Sequence, residues 1–377
     1  VKRRDFWYPV AFRDWDEREF DAMRKVIESG WFTMGPEVEA FEAEFAAYHK
    51  MKYAVMVNSG SSANLVAVSA LFHLKERPAL QRGDKVLVPA LAWATTYAPL
   101  VQNFLDMSLL DCDATWNSGE CFSADDSARL IVGCSILGGP SYLHAWSFTA
   151  SAIGSHFIED NCESIGASNY GKLCGTHGLM NTFSFFHSHQ LSAIEGGMIL
   201  TNDFECFELC RMLRDHGMTR SVREAALFDE EYDFRLMGYN LRPAEINAAV
   251  ARVQLEKLDG FIKGRQRNHQ IWLDAIEGLP ITPQRMQYHH NPFGLAFTVK
   301  DKETRNVLAD LLRESDIDCR LPTGGSFSRH HYGRDWRNQS TPNADRIHDT
   351  ALFLGNASFD ISDKIERSVK VMRSTLL

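Results

Sequence analysis

Asn181-Thr182-Phe183-Ser184-Phe185-Phe186-His187-Ser188-His189-Gln190-Leu191-Ser192-Ala193-Ile194-Glu195-Gly196-Gly197-Met198-Ile199-Leu200 decides how this chain reads. An apolar run stops at a polar knot holding two histidines, and a second apolar run begins at Met198. The pattern predicts strand, active-site turn, strand. The Gly196-Gly197 pair admits either close backbone approach or positive φ. His187 and His189 are two residues apart, so an extended segment would put both on one side, and an earlier turn would separate them.

Composition sets the class. The chain has 377 residues, 45% hydrophobic and 24% charged, which is ordinary for a globular protein. Length alone suggests two or three domains, or one large α/β core with an appended piece. A net charge of -9 argues against a nucleic-acid partner, because phosphate backbones demand a basic surface. No apolar stretch reaches membrane-spanning length, and Val1-Lys2-Arg3-Arg4-Asp5 is not followed by a signal-peptide core. The eight cysteines are scattered, as expected for thiols in a reducing, cytoplasmic compartment. Their spacing offers no metal or iron–sulfur set.

Outward from the opening stretch, short apolar runs near 53, 86, 105, 130, 156, 181 and 197 predict seven strands. Helical or turn segments separate most of them, which implies a mainly parallel sheet covered by helices. The run at 53–57 ends in Asn58-Ser59-Gly60-Ser61-Ser62-Ala63-Asn64 and enters a helix. A Gly-Ser-Ser turn there presents N–H groups and hydroxyls to an anion, or simply caps the helix. Trp93 follows the strand at 86–89, as core or as a flat surface for an aromatic cofactor. Asp160 ends the strand at 156–159, where ligands bind in parallel sheets or where a helix is capped.

Helices are expected at Glu17–Ile27, through Val38-Phe41-Phe45-Tyr48, at 203–215 and from Pro243 to Leu258. A boundary at Asp259-Gly260 divides the chain into 1–259, an N-terminal arm and large domain, and 260–377, a smaller α+β domain. The smaller part reads helix, strand (Phe293–Val299), helix, a Gly324-Gly325 loop and a final helix from Ser362.

Several stretches occur together in one order: Gly30-Trp31-Phe32-Thr33-Met34-Gly35, Asn58 to Ala63, Pro89 to Thr95, Ile158 to Glu163, Ser184 to Gly197, His216-Gly217-Met218-Thr219-Arg220, Gly238-Tyr239-Asn240 and Gln254-Leu255-Glu256. By these the chain resembles the sugar aminotransferases of DegT/DnrJ type, fold-type I pyridoxal-phosphate enzymes that modify nucleotide-linked keto sugars. The resemblance spans nearly the full length. It implies an aspartate-aminotransferase-like fold with pyridoxal or pyridoxamine 5'-phosphate as cofactor. Asp160 would pair with the pyridinium nitrogen, and Trp93 would stack on the ring. Gly60, Ser61 and Ser184 would hold the phosphate. Glu163 would lie near the cofactor, and Asn240 would reach in from the partner subunit of a homodimer.

One departure decides the expected chemistry. Family aminotransferases place a Schiff-base lysine seven residues before the Gly-Gly pair; here that position is His189, and no lysine stands between Gly178 and Thr201. Imidazole forms no Schiff base but moves protons near neutrality. This substitution is similar to the sugar 3-dehydratases of the family, the GDP-4-keto-6-deoxymannose subgroup above all, which use untethered pyridoxamine phosphate. The resemblance implies removal of the C3 hydroxyl of a nucleotide-linked 4-keto-6-deoxyhexose, with His189 as base and then acid and glutamate as amino donor. Such a lyase would serve dideoxy-sugar and O-antigen synthesis. His187, His216, Arg220, Arg329 and His330 are weaker candidates for the substrate. The rival readings are an aminotransferase lacking its lysine, natural or engineered, and a non-catalytic regulator that kept the fold.

Overall fold

Seven strands, all but the edge strand β3 largely buried, form one sheet whose carboxyl edge carries the candidate residues. The structure is a computed structural model, and it describes residues 5–119, 125–219 and 232–377. The strands are β1 (Tyr53–Val57), β2 (Lys85–Pro89), β3 (Asp106–Leu110), β4 (Ala128–Cys134), β5 (His156–Asp160), β8 (Met180–Ser184) and β9 (Gly197–Thr201). A small hairpin, β6 (Ser168–Asn169) and β7 (Lys172–Leu173), interrupts the series. The order is β1-β9-β8-β5-β4-β2-β3. β3, β2, β4, β5 and β8 pair in parallel, and β9 runs antiparallel between β8 and β1. Near-continuous apolar runs such as Ala54-Val55-Met56-Val57 suit strands covered on both faces. All seven expected strands are present, and the opening stretch is the β8–turn–β9 unit.

Both readings of the glycine pair hold. Gly196 has φ 154°, and a Cβ on Gly197 would lie 2.2 Å from the carbonyl oxygen of Ser59. Gly197 therefore lets β9 press against the chain entering α3 (Gly60–Ala70).

Helices α1 (Glu17–Ser29) and α2 (Pro36–His49) begin the chain; α4 (Ala94–Gln102), α5 (Leu143–Ile153) and α6 (Phe204–Arg214) follow strands of the large sheet. A capping box at Asp16 starts α1, and Gly30 ends it in the left-handed region. The amino end of α2 has no local side-chain cap. Instead, buried Glu245 accepts from the N–H groups of Gly35, Glu37 and Val38 at 2.8–2.9 Å. A carboxylate also suits the positive end of the helix dipole.

Glu245 opens α7 (Glu245–Ala275), a helix of 31 residues. The expected helix end at Leu258 is corrected, because α7 runs unbroken through Asp259-Gly260 and the boundary drawn there falls inside it. A glycine inside a helix costs about 1 kcal/mol, which burial along the rest of α7 outweighs. Ala248, Ala251, Leu258 and Ile262 pack in one core with α2, β8 and β9; Trp272 and Ile276 pack in a second core.

That second core lies under β10 (Thr282–Pro283), β11 (Gly294–Thr298) and β12 (Ala351–Gly355), an antiparallel sheet flanked by α8 (Lys302–Glu314), α9 (Pro342–Thr350) and α10 (Ser362–Leu376). The arm at the start of the chain belongs here as well. Tyr8 is fully buried, its hydroxyl donates to the Gly355 carbonyl at 2.7 Å, and Trp272 Nε1 donates to that hydroxyl at 3.2 Å. The arm was expected to go with the large domain; its aromatic ring finds its apolar partners in the smaller one.

Candidate active site

At the carboxyl edge of the large sheet a cavity of about 340 Å³ opens between the first turn of α3, the end of β5, the turn after β8, and the Arg320–Thr323 segment. Gly60, Ser61, Trp93, Asp160, Glu163, Ser184 and His189 all line it. These residues come from four separate places in the sequence, and the sheet order brings them together.

Asp160 ends β5 and is 3% exposed. Its Oδ2 accepts from Asn64 Nδ2 at 2.8 Å and from Thr96 Oγ1 at 2.7 Å, and its Oδ1 accepts from the Cys162 N–H at 3.1 Å. Thr182 Oγ1 donates to Asn64 Oδ1 at 2.6 Å, which orients the amide so that its NH₂ faces the carboxylate. Three donors hold the group as an acceptor, and a carboxylate has about four acceptor positions.

The first turn of α3 supplies the opposite end. Ser59 caps the helix, accepting from the Ser62 N–H at 3.1 Å, and Ser61 shares a 2.7 Å hydrogen bond with Thr95. A Cβ on Gly60 would lie 2.5 Å from Ser184 Cβ and 2.9 Å from Cys162 Sγ. Gly60 therefore brings the helix terminus and Ser184 together, with backbone N–H groups and a partial positive charge suited to a phosphate. Between the two ends lies Trp93, more than half exposed despite its size. A helix terminus, a flat indole and a fixed carboxylate fit a phosphorylated pyridinium cofactor.

His189 sits in the turn after β8, half-buried, with its ring edge-on to Phe293 at 5.3 Å. Its Nδ1 lies 2.6 Å from the Cys162 carbonyl oxygen. A carbonyl only accepts, so Nδ1 carries the proton and the neutral ring keeps its lone pair on Nε2. Burial pushes its pKa down to about 4, so the ring is neutral at physiological pH. Glu163 behaves in the opposite sense. Burial, reinforced by the charge of Asp160, pushes its carboxyl up to about 7 against the Leu137 N–H that Oε2 accepts at 2.9 Å.

The other expected residues that the structure describes are outside the cavity lining. A turn closed by the His189 N–H on the Phe186 carbonyl at 2.9 Å separates the two histidines, and His187 packs on Phe186 outside the cavity lining. His216, at φ 60°, meets Arg242 at 2.8 Å, and Arg242 also pairs with Asp215. Arg329 is held by both oxygens of Asp349, and His330 by the Gly324 carbonyl at 2.7 Å. Asn240 is exposed and outside the lining, and Arg220 lies outside the described residues. Sequence reading missed Asn64, Thr96 and Arg320. Asn64 and Thr96 sit one turn into α3 and α4, where spacing from the quoted motifs was the available signal.

Among the described residues no cluster of His, Cys, Asp and Glu has metal-binding geometry, and no helix is long and apolar enough to cross a membrane.

Comparisons with known proteins agree with this geometry. The model of the DegT/DnrJ/EryC1/StrS aminotransferase family matches residues 13–371. A GDP-4-keto-6-deoxy-D-mannose 3-dehydratase of Yersinia pseudotuberculosis is 35% identical, covering 97% of this chain and 98% of the relative. A crystal structure of a mutant GDP-4-keto-6-deoxymannose-3-dehydratase with bound GDP-perosamine superposes with a TM-score of 0.92 at 34% identity, over 97% of this chain and 100% of the other. A second structure of that enzyme, with a trapped PLP-glutamate geminal diamine, gives 0.91 at 34% identity with the same coverage.

Proposed function

This chain belongs to the DegT/DnrJ/EryC1/StrS aminotransferase family, and we propose that it is a pyridoxal-phosphate-dependent lyase removing the C3 hydroxyl of a nucleotide-linked 4-keto-6-deoxyhexose, GDP-4-keto-6-deoxymannose foremost. The observation that carries the reading is that His189 and Asp160 line one cavity, with no lysine in the lining among the described residues. Without a lysine the site lacks the tether of an aminotransferase and keeps a proton carrier.

The residues divide the work. Gly60, Ser61 and Ser184, at the start of α3, would hold the cofactor phosphate. Trp93 would give the ring a flat surface, and Asp160, fixed by Asn64 and Thr96, would pair with the pyridinium nitrogen. The bound cofactor supplies an amine for the C4 ketone and a ring that accepts an electron pair. His189 Nε2 takes a proton as base. The imidazolium it becomes is disfavoured by burial, so it gives that proton readily to the departing C3 oxygen. Glu163, its carboxyl pushed up to about 7, lines the same cavity and would orient the cofactor's edge. The reaction balances with glutamate as reductant: the sugar exchanges C–OH for C–H, and glutamate becomes 2-oxoglutarate and ammonia.

The 1–259 and 260–377 division is kept as a functional one. The second part contributes Phe293, Arg320, Leu321, Thr323 and Phe353 to the cavity. A homodimer with Asn240 reaching the partner's cavity is supported by exposed apolar side chains, Trp31, Phe32, Phe234 and Met237. The seven described cysteines are free thiols, which suits the cytoplasm; the product would supply dideoxy-sugar and O-antigen synthesis.

Purified protein with pyridoxamine phosphate, glutamate and the GDP-linked keto sugar tests the reading. A 3-deoxy-4-keto product is expected. An amino sugar that retains the C3 hydroxyl overturns it.

A further inference from the structure

The hexose of the proposed function has few groups for a protein to read. Its C1 carries the nucleotide, C4 is a ketone, C5 joins the ring oxygen and C6 is a methyl, so C2 and C3 hold its hydroxyls. The C3 hydroxyl departs beside His189. The C2 hydroxyl is then the hydrogen-bond donor that stays on the ring, and a hydroxyl donates most strongly to a carboxylate.

Glu195 offers such a carboxylate. It lines the same cavity as His189, and among the described residues no hydrogen bond or ion pair engages its carboxyl. Its backbone, by contrast, is firmly held. The Glu195 N–H donates to the Ala193 carbonyl at 2.8 Å, closing a three-residue turn. Asn247 Nδ2, from the first turn of α7, donates to the carbonyls of Ala193 at 2.8 Å and of Glu195 at 2.9 Å. The turn puts Ile194 at φ 69°. A β-branched residue in the left-handed region is strained and persists only where its surroundings over-determine it. Asn247 supplies that restraint, and the restrained turn fixes where Glu195 leaves the chain.

Phe186 accompanies it from the other arm of the β8–turn–β9 unit. The Phe185 N–H donates to the Gly196 carbonyl at 2.9 Å, and the Phe185 carbonyl accepts from the Ala193 N–H at 2.8 Å. These bonds pin the two arms together, and Phe186 and Glu195 leave the pin on opposite arms. Phe186 also lines the cavity, 36% exposed, with its ring edge-on to His189 at 6.1 Å. An aromatic surface beside a carboxylate suits a pyranose, which has an apolar C–H face and hydroxyls on its rim. Glu195 does not suit the diphosphate or the amino donor's carboxylates, which carry its own sign of charge.

We propose that Glu195 is a specificity-determining residue that accepts a hydrogen bond from the C2 hydroxyl of the hexose, with Phe186 as the wall against which the ring lies. The assignment rests on the function proposed above.

Wild-type, E195A, E195Q and F186L proteins are loaded with pyridoxamine phosphate and mixed with GDP-4-keto-6-deoxymannose or its 2-deoxy counterpart. Single turnovers are followed by cofactor absorbance. The wild type is expected to favour the 2-hydroxy sugar by roughly 10- to 100-fold in limiting rate over half-saturating concentration. E195A should lose that preference by raising the half-saturating concentration of the 2-hydroxy sugar alone. E195Q should keep part of the preference, and F186L should weaken both sugars alike. A wild type that treats the two sugars equally overturns the assignment, as does a preference that survives in E195A. A lower limiting rate with unchanged half-saturation also overturns it, by placing Glu195 in proton transfer. So does an E195A protein that changes its oligomeric state in sedimentation, by making a second copy of the chain the partner of Glu195. If the wild type dehydrates neither sugar, the proposed function fails before any variant is compared, and this assignment falls with it.

Discussion

His189 donates through Nδ1 to the carbonyl oxygen of Cys162, two residues beyond Asp160. One strand end thus fixes both the carboxylate and the tautomer of the base. His189→Asn keeps a donor for that carbonyl and removes the lone pair of Nε2. Dehydration should fall by roughly 10²- to 10⁴-fold while cofactor absorbance and affinity hold. Undiminished dehydration would remove His189 from the mechanism.

Catalytic pH dependence follows from two displaced groups. His189 acts as base when neutral, so its contribution is lost as pH falls through about 4 and stays level above it. Glu163 titrates near 7, and Glu163→Gln should erase any transition found there. Single-turnover rates with pyridoxamine phosphate and keto sugar check both. A limb centred at the ordinary imidazole value would contradict the first.

Stability should fall on acidification. His49, His177, His189 and His269 are each pushed down to about 4 by burial. The unfolded chain binds protons at these sites between about 6.5 and 4 while the folded chain does not, so their contribution is lost as pH falls through that window. Glu159 and Glu163, both raised to about 7, act oppositely between about 4.5 and 7, and they are fewer. Urea midpoints measured between pH 6.5 and 4.5 should decline. His49→Leu should flatten that decline by up to about one proton's slope.

Gly60→Ala places a methyl 2.5 Å from Ser184 Cβ. Overpacking of this kind costs about 1–3 kcal/mol, so cofactor affinity should weaken by roughly 5- to 150-fold in an absorbance titration. Normal affinity would show that the start of α3 is not the phosphate site.

Thr96→Val removes one of the three donors to Asp160. A hydrogen bond to a charged group is worth about 1.5–3 kcal/mol, so turnover or cofactor affinity should drop by at least about 10-fold. An unchanged spectrum, affinity and rate would argue against Asp160 as the pyridinium partner.

Much of this was legible in the sequence, for physical reasons. Parallel strands buried on both faces leave short apolar runs that stand out, and all seven were found in place. Glycines forced by close approach, Gly60 and Gly197, mark the cavity from the sequence, because a Cβ at either would collide with backbone or Ser184. Asn64 and Thr96 left no such mark; polar residues inside helices read as surface until the fold brings Asp160 against them. Gly324-Gly325 drew attention to Arg329 and His330, but Asp349 and the Gly324 carbonyl engage those heads, and the arginine in the cavity lining is Arg320. Gly260 was read as a break. A Cβ there would meet nothing within 4 Å, so the residue neither forces nor prevents a turn, and α7 passes through it.

Tyr8 and Gly355, joined by a hydrogen bond, stand 347 positions apart. On the ribosome, at about 5–20 residues per second, the arm must wait roughly 20–70 s before its carbonyl acceptor is synthesised. Tyr8 has no core to enter until α7 is made, and the core it shares with Trp272 fills only as β11, α8, β12 and α10 follow. The large sheet can assemble during synthesis. The smaller core closes only after β12 and α10 have been made, well after the large sheet has all its strands.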